Sequence, residues 1–171
     1  MENNLISYIA LGEYAELYSD KNDLSKFIFG KIIRKNDVYI IIAAISPKGS
    51  YDGFLLKKIN DIIKICRNTK YKEDLLYKIN KSELIEFNIE ESGNPLIDLL
   101  CFAQSNNLVV SIELLSSGYT EAFGFVNEID NQYISINQID ENGDFDGITY
   151  LYTKDITQIS VDSEEERTET Q

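Results

Sequence analysis

Residues 29–65 read FGKIIRKNDVYIIIAAISPKGSYDGFLLKKINDIIKI, and residues 123–159 read FGFVNEIDNQYISINQIDENGDFDGITYLYTKDITQI. The two stretches align without a gap at a shift of 94 residues. Similarity at a fixed spacing is typical of a duplicated structural unit. The identical pairs are Phe29/Phe123, Gly30/Gly124, Tyr39/Tyr133, Ile40/Ile134, Ile42/Ile136, Ile45/Ile139, Gly49/Gly143, Asp52/Asp146, Gly53/Gly147, Asp61/Asp155, Ile62/Ile156 and Ile65/Ile159. The chain is therefore predicted to be a tandem duplication.

Each repeat carries the pattern of one short helix followed by five strands. Apolar residues alternate with period two in the Tyr-Ile-x-Ile segments, and the Gly…Asp-Gly that follows is typical of a turn. Residues 4–10 and 95–101 have helical spacing, with Asn94 as a good N-cap before Pro95. The predicted strands lie near 13–19, 26–36, 38–46, 52–59 and 62–66, and again near 108–115, 121–130, 132–140, 146–153 and 156–161.

The chain divides into three predicted parts. Residues 1–86 form the first repeat with a trailing helix, and residues 87–162 form the second, strongly acidic repeat. Between them, the apolar residues of Ile85 to Ile89 alternate like an edge strand. Residues 163–171 are polar and charged, and they are predicted to be a disordered acidic tail.

This layout resembles the Sm-like (LSm) barrel, in which a short helix leads into five bent antiparallel strands. Residues 94–161 match it best, with a Gly in the second strand followed by acidic or amide residues as in the first Sm motif. The resemblance implies a mainly β chain of two tandem Sm-like five-stranded barrels, each preceded by a short helix, with an SH3-like barrel as the alternative. The Ile/Leu-Arg-Gly loop of uridine-binding Sm proteins is replaced by Asp61 to Ile65 and Asp155 to Ile159.

The sequence lacks the residues that several classes of catalytic and binding site require. The 171 residues include no histidine, which excludes the histidine-based nucleophile systems and histidine metal sites. Neither GxxxxGK[ST] nor GxGxxG occurs. Asn142, Asp144, Asp146 and Gly147 resemble the start of a calcium loop, but Thr153 stands where that loop needs Glu. The protein is predicted not to be an enzyme and to use neither a cofactor nor a metal.

The two repeats differ most in charge. Residues 1–86 contain 14 Lys or Arg and 12 Asp or Glu, whereas residues 87–171 contain 2 and 17. An acidic field of this size attracts positively charged proteins and repels nucleic acid. We therefore expect a non-enzymatic protein-binding module, similar to bacterial immunity proteins or antitoxins, whose acidic second repeat engages a basic protein partner. The residues predicted to bind this partner are Asp140, Glu141, Asp144 and Phe145.

The charge difference has three other interpretations. The first is that the acidic residues keep the protein soluble. The second is that the first repeat docks on the oppositely charged second repeat. The third is an RNA-binding Sm-like protein that uses the more basic first repeat together with aromatics such as Tyr39 or Tyr71. The cations of that patch are Lys31, Arg34, Lys35, Lys57, Lys58, Lys64, Arg67, Lys70 and Lys72.

The expected cellular location of the protein follows from the length of its apolar runs and from the composition of its N-terminus. No run approaches the roughly 18 apolar residues that cross a bilayer. The first residues have no basic segment and resemble no secretory signal. The protein is predicted to be cytoplasmic, with no membrane partner, and to be a monomer or a pseudo-symmetric dimer of repeats.

Overall fold

The computed structural model describes residues 4–79 and 84–169, and this part of the chain is mainly β, as predicted. Short 3₁₀ helices occur at Leu5–Tyr8, Ile59–Asp61 and Thr153–Asp155. The α-helices are α1 (Lys70–Leu76), α2 (Pro95–Ser105) and α3 (Glu164–Glu169). The strands are β1 (Tyr14–Tyr18), β2 (Ile28–Lys35), β3 (Tyr39–Ile45), β4 (Tyr51–Lys58), β5 (Lys64–Cys66), β6 (Val109–Leu114), β7 (Ala122–Ile129), β8 (Tyr133–Ile139), β9 (Phe145–Tyr152) and β10 (Ile156–Val161).

All ten strands belong to one open antiparallel sheet, in the order β5-β1-β2-β3-β4-β10-β6-β7-β8-β9. Each repeat has the same internal order, which is fifth, first, second, third and fourth strand. The repeats join where β4 pairs with β10, so that β5 and β9 are the two end strands. The prediction of two tandem five-stranded barrels is not confirmed, because β4 pairs with the second repeat instead of closing on β5 of its own repeat.

The register shift between the second and third strands recurs at the same positions in both repeats. The pairing of β2 with β3 shifts register between Ile32 and Arg34, and the pairing of β7 with β8 shifts between Val126 and Glu128. Each position in the second repeat is the first-repeat position plus 94. A register shift adds a residue to one strand and bends it. The repeated bends support the duplication at the level of backbone geometry.

Two of the identical glycines are explained by the distance between strands. A Cβ on Gly30 would collide with the carbonyl oxygen of Ala43 on β3. A Cβ on Gly124 would collide with the carbonyl oxygen of Asn137 on β8, which is the equivalent residue. Any side chain at these positions would force the strands apart. The strand contact therefore requires glycine in both repeats.

Helix α2 lies over the junction between the repeats. Asn94 caps it by accepting a hydrogen bond from the backbone N–H of Leu96 at 3.1 Å, and Pro95 is its first residue, as predicted. The helix packs on β3 and β4 of the first repeat and on β7 of the second. One core cluster therefore draws on both repeats, and its members include Tyr39, Ile41, Phe54, Leu56, Leu96, Leu99, Phe102, Val110, Ile112 and Ile159.

A buried ion pair fastens α2 to the first repeat. The Arg34 guanidinium on β2 lies 2.9 Å from the carboxylate of Asp98, which is almost completely buried. The other carboxylate oxygen of Asp98 accepts hydrogen bonds from the backbone N–H and the hydroxyl of Ser92. Arg34 also stacks over the ring of Phe87, with 4.8 Å to the ring centroid. Each of the two buried charges therefore has protein partners in place of water.

Two local predictions differ from the structure. Residues 85–89 form no strand, although Phe87 and Ile89 pack against the core cluster. Of the predicted disordered tail, residues Glu164–Glu169 form α3, because the Glu166 carboxylate accepts hydrogen bonds from the hydroxyls of Ser160 and Ser163. Residues 170 and 171 lie outside the described residues. The boundary between residues 86 and 87 stays a prediction.

Substitution of Asp98 by Ala is expected to lower the free energy of unfolding by about 3 kcal/mol, because it leaves the Arg34 charge buried without its partner. Urea denaturation of the full chain measures this change. The exposed Glu141→Ala serves as a control and should leave the unfolding midpoint nearly unchanged. Equal midpoints for the two variants would contradict this account of the ion pair.

Candidate functional site

Strand β9 is an end strand of the sheet with one open edge. It pairs with β8 on one side, and no other described strand pairs with its far side. Its eight residues, Phe145–Tyr152, therefore offer backbone N–H and C=O groups to solvent along that edge. Such an edge is a template on which another chain can add a strand. The open edge therefore makes β9 a candidate binding surface.

One face of β9 is apolar and exposed. Phe145, Ile148 and Tyr150 have 67%, 47% and 64% of their surface accessible. Tyr152 on the same strand and Tyr133 on β8, which pair directly, are exposed as well. We call these five residues the β9 aromatic face. Contiguous exposed apolar surface of this kind marks interaction sites more often than isolated exposed residues do.

The equivalent residues of the first repeat are buried. Tyr51, Phe54 and Leu56 correspond to Phe145, Ile148 and Tyr150 at the shift of 94, and only 5%, 1% and 0% of their surface is accessible. They are buried because β10 pairs with β4 and α2 packs across it. The same strand face is therefore core where another repeat follows in the sheet, and surface where none does.

An acidic hairpin borders the β9 aromatic face. The carboxylate of Asp140 accepts hydrogen bonds from the backbone N–H groups of Asn142 and Asp144, at 2.8 and 3.0 Å, and so holds the turn between β8 and β9. Glu141, Asp144 and Asp146 are exposed. No hydrogen bond or ion pair to another described residue neutralises their carboxylates. Their negative charge is therefore presented to solvent beside the aromatic side chains.

All four residues predicted to bind a partner lie on this hairpin, but their roles differ. Asp140 is half-buried and shapes the turn, whereas Glu141, Asp144 and Phe145 are exposed. Sequence reasoning missed the rest of the surface. The residues it missed are Ile148, Tyr150, Tyr152 and Tyr133. The available signal was the duplication itself, since Tyr150 and Tyr152 stand where the first repeat has Leu56 and Lys58.

Several cations of the predicted RNA patch are used inside the first repeat. Arg34 pairs with Asp98, and the Lys35 ammonium donates to the carbonyl oxygens of the 3₁₀ helix Leu5–Tyr8 and the residue after it. Arg67 pairs with Glu13 at 2.8 Å. The aromatics named with them are packed as well, because Tyr39 is buried and Tyr71 packs edge-on against Phe27 and Phe29.

A cleft of about 580 Å³ lies beside the junction of the repeats. Burial lowers the pKa of the Lys57 amine, which lines this cleft. Asp20, Asp61 and Glu113 line it together with two further lysines, so both signs of charge are present. The mixed charge favours no one class of ligand, and the β9 surface is the stronger candidate site.

No protein-family model, curated protein or solved structure matches the chain. Within residues 4–79 and 84–169, no three acidic or cysteine side chains are grouped so that they could hold a metal ion. No helix in the same ranges is long and apolar enough to cross a membrane.

Matched truncations in the two repeats test the asymmetry between them. Leu56→Ala is expected to cost about 3 kcal/mol of unfolding free energy, since it opens a cavity in the core. Tyr150→Ala, at the equivalent exposed position, is expected to cost less than about 1 kcal/mol. Urea denaturation of both variants in dilute solution measures the difference. Similar costs at the two positions would show that Tyr150 is not at a free surface.

Proposed function

We propose that this protein is a non-enzymatic protein-binding module whose acidic second repeat engages a basic protein partner. One observation carries the proposal: the open edge of β9 presents exposed aromatic side chains directly beside uncompensated carboxylates. The equivalent surface in the first repeat is buried by protein, which supports protein as the kind of partner.

The surface combines two recognition modes that are common at protein interfaces. The open edge supplies backbone hydrogen-bonding groups for an added strand. Tyr and Phe side chains supply large contact area at low cost in conformational entropy, and residues of this type dominate interface energies. We expect the partner to cover the β9 aromatic face and to pair with the edge of β9.

Charge sets the chemistry of that partner. The acids of the hairpin, Glu141, Asp144 and Asp146, attract Lys and Arg side chains and speed the encounter with a basic protein. The face of Tyr150 can also bind a cation through the ring quadrupole, whereas the ring of Tyr152 already has the Lys154 ammonium 5.5 Å from its centroid. Nucleic acid is repelled by the same field. An immunity-like or antitoxin-like role, in which the module covers a basic toxin enzyme, is the form of this function that we favour.

The finer fold assignment is part of the proposal. We infer that each repeat is related to the small Sm-like or SH3-like barrels, opened here so that two repeats share one sheet. The order of one short helix and five strands supports this relation, and so do the bends that recur at the same positions in both repeats.

Affinity capture from an extract of the cells that naturally make the protein tests the function. The tagged full chain is compared with Phe145→Ser/Tyr150→Ser/Tyr152→Ser, and with the control Tyr77→Ser/Tyr119→Ser, which removes equally exposed aromatics elsewhere. We expect the full chain and the control to retain one basic protein at least about tenfold better than the triple variant. Equal recovery on all three proteins, or recovery of nucleic acid instead, would contradict the proposal.

Charge neutralisation separates the acidic contribution from the aromatic one. Glu141→Gln/Asp144→Asn is expected to slow association with the captured protein several-fold at low salt, and to have little effect at about 0.5 M salt, where exposed charges are screened. Surface plasmon resonance measures both rates. The matched control Glu90→Gln/Glu91→Gln removes two exposed acids outside the hairpin and should leave both rates unchanged. Loss of binding that is independent of salt would argue against an electrostatic role.

A further inference from the structure

The chain contains one junction between repeats, the pairing of β4 with β10. The equivalents of these two strands elsewhere in the sheet each have an open edge. At the completed junction, β4 pairs with β10 through four residue pairs, namely Phe54/Val161, Leu55/Ser160, Leu56/Ile159 and Lys57/Gln158. The equivalent of β4 in the second repeat is β9, and the equivalent of β10 in the first repeat is β5. Each of these strands pairs with only one other described strand, β9 with β8 and β5 with β1.

We propose that the chain associates with itself head to tail, with β9 of one molecule pairing with β5 of the next. This inference goes beyond the proposed function, because a second molecule of this acidic chain is not the basic partner and competes with it for the same β9 surface. The contact joins two different surfaces, so it propagates until a ring closes or a filament grows.

The β5 end leaves apolar side chains exposed. Asn4 and Asn94 are the N-caps of the two equivalent helices, so Leu96 and Leu99 of α2 correspond to Ile6 and Ile9, which are buried in the core of the first repeat. Leu5 and Tyr8 of the same 3₁₀ helix, which contacts β5, are exposed. When β5 docks on β9, these two side chains approach the β9 aromatic face. Both apolar surfaces then leave water together, which stabilises the contact.

Charge also favours this pairing. In the register of the completed junction, the exposed acids Glu141 and Asp144 before β9 lie toward the residues that follow β5, where Lys70 is exposed. The head-to-tail arrangement therefore brings opposite charges together there.

The duplication also predicts the register of the contact. Cys66 corresponds to Ser160, and Thr149 corresponds to Leu55, and Ser160 and Leu55 are partners at the completed junction. Cys66 of one molecule is therefore expected opposite Thr149 of the next. Directly opposite residues of antiparallel strands have Cβ atoms about 5 Å apart. A cysteine introduced at position 149 would lie within reach of the native thiol.

Cross-linking in solution tests this register. All variants carry Cys101→Ser, and a short bismaleimide serves as the cross-linker. Thr149→Cys is expected to give a ladder of covalent oligomers, and neither the Cys101→Ser parent nor Ser117→Cys, an exposed loop position, should do so. Thr149→Cys combined with Cys66→Ser should give no covalent product. Covalent dimers from that combined variant would indicate symmetric β9–β9 pairing and would overturn the proposal.

Sedimentation analysis of the unmodified full chain provides the second measurement. The mass is expected to rise above the monomer with concentration, and Lys70→Glu should weaken association several-fold while leaving β9 unchanged. A chain that stays monomeric up to about 200 µM, with no Thr149→Cys ladder, overturns self-association. Failure of self-association can be distinguished from failure of the proposed function. Capture of a basic protein that depends on the β9 aromatic face does not require the β5 end.

Discussion

The pairing of β4 with β10 is the interaction on which the rest of this structure depends. It joins two five-strand repeats into one sheet and removes two exposed edges from solvent. It also places α2 over the first repeat, where the Arg34–Asp98 ion pair and the shared core cluster form. The same pairing leaves β5 and β9 at the ends. The difference between the two repeats in exposure is therefore a consequence of their order in the sheet.

Local features of the fold could be predicted from the sequence, because short-range chemistry determines them. Asn94 and Pro95 begin a helix, as predicted, and a turn precedes β9. The Asp146-Gly147 pair expected in that turn lies inside β9, and Asp140 holds the turn instead. The junction could not be predicted in this way, since it pairs strands about a hundred residues apart and no periodicity encodes that partner. Residues 85–89 show the same limit. Their alternation reports that Phe87 and Ile89 face the core, whereas their backbone pairs with no strand.

Only part of the candidate site could likewise be predicted from the sequence. The charge difference between the repeats located the hairpin of Glu141, Asp144 and Phe145 from sequence alone. The aromatic residues Tyr150 and Tyr152 were missed, because a tyrosine in an alternating strand looks the same whether the strand lies inside a sheet or at its end. Only the sheet order separates these cases. Comparison of equivalent positions then becomes informative, since it shows which side chains the fold buries and which it leaves available to a partner.

Amide hydrogen exchange, followed residue by residue in dilute solution, tests the central claim most directly. The account predicts slow exchange along residues 54–57 of β4, where both edges are paired, and fast exchange at alternate residues of β9, because one of its edges is open. Equal protection of these two segments in the dilute chain, or fast exchange at alternate residues within 54–57, would contradict it. Either result would mean that the repeats are not joined through β4 and β10.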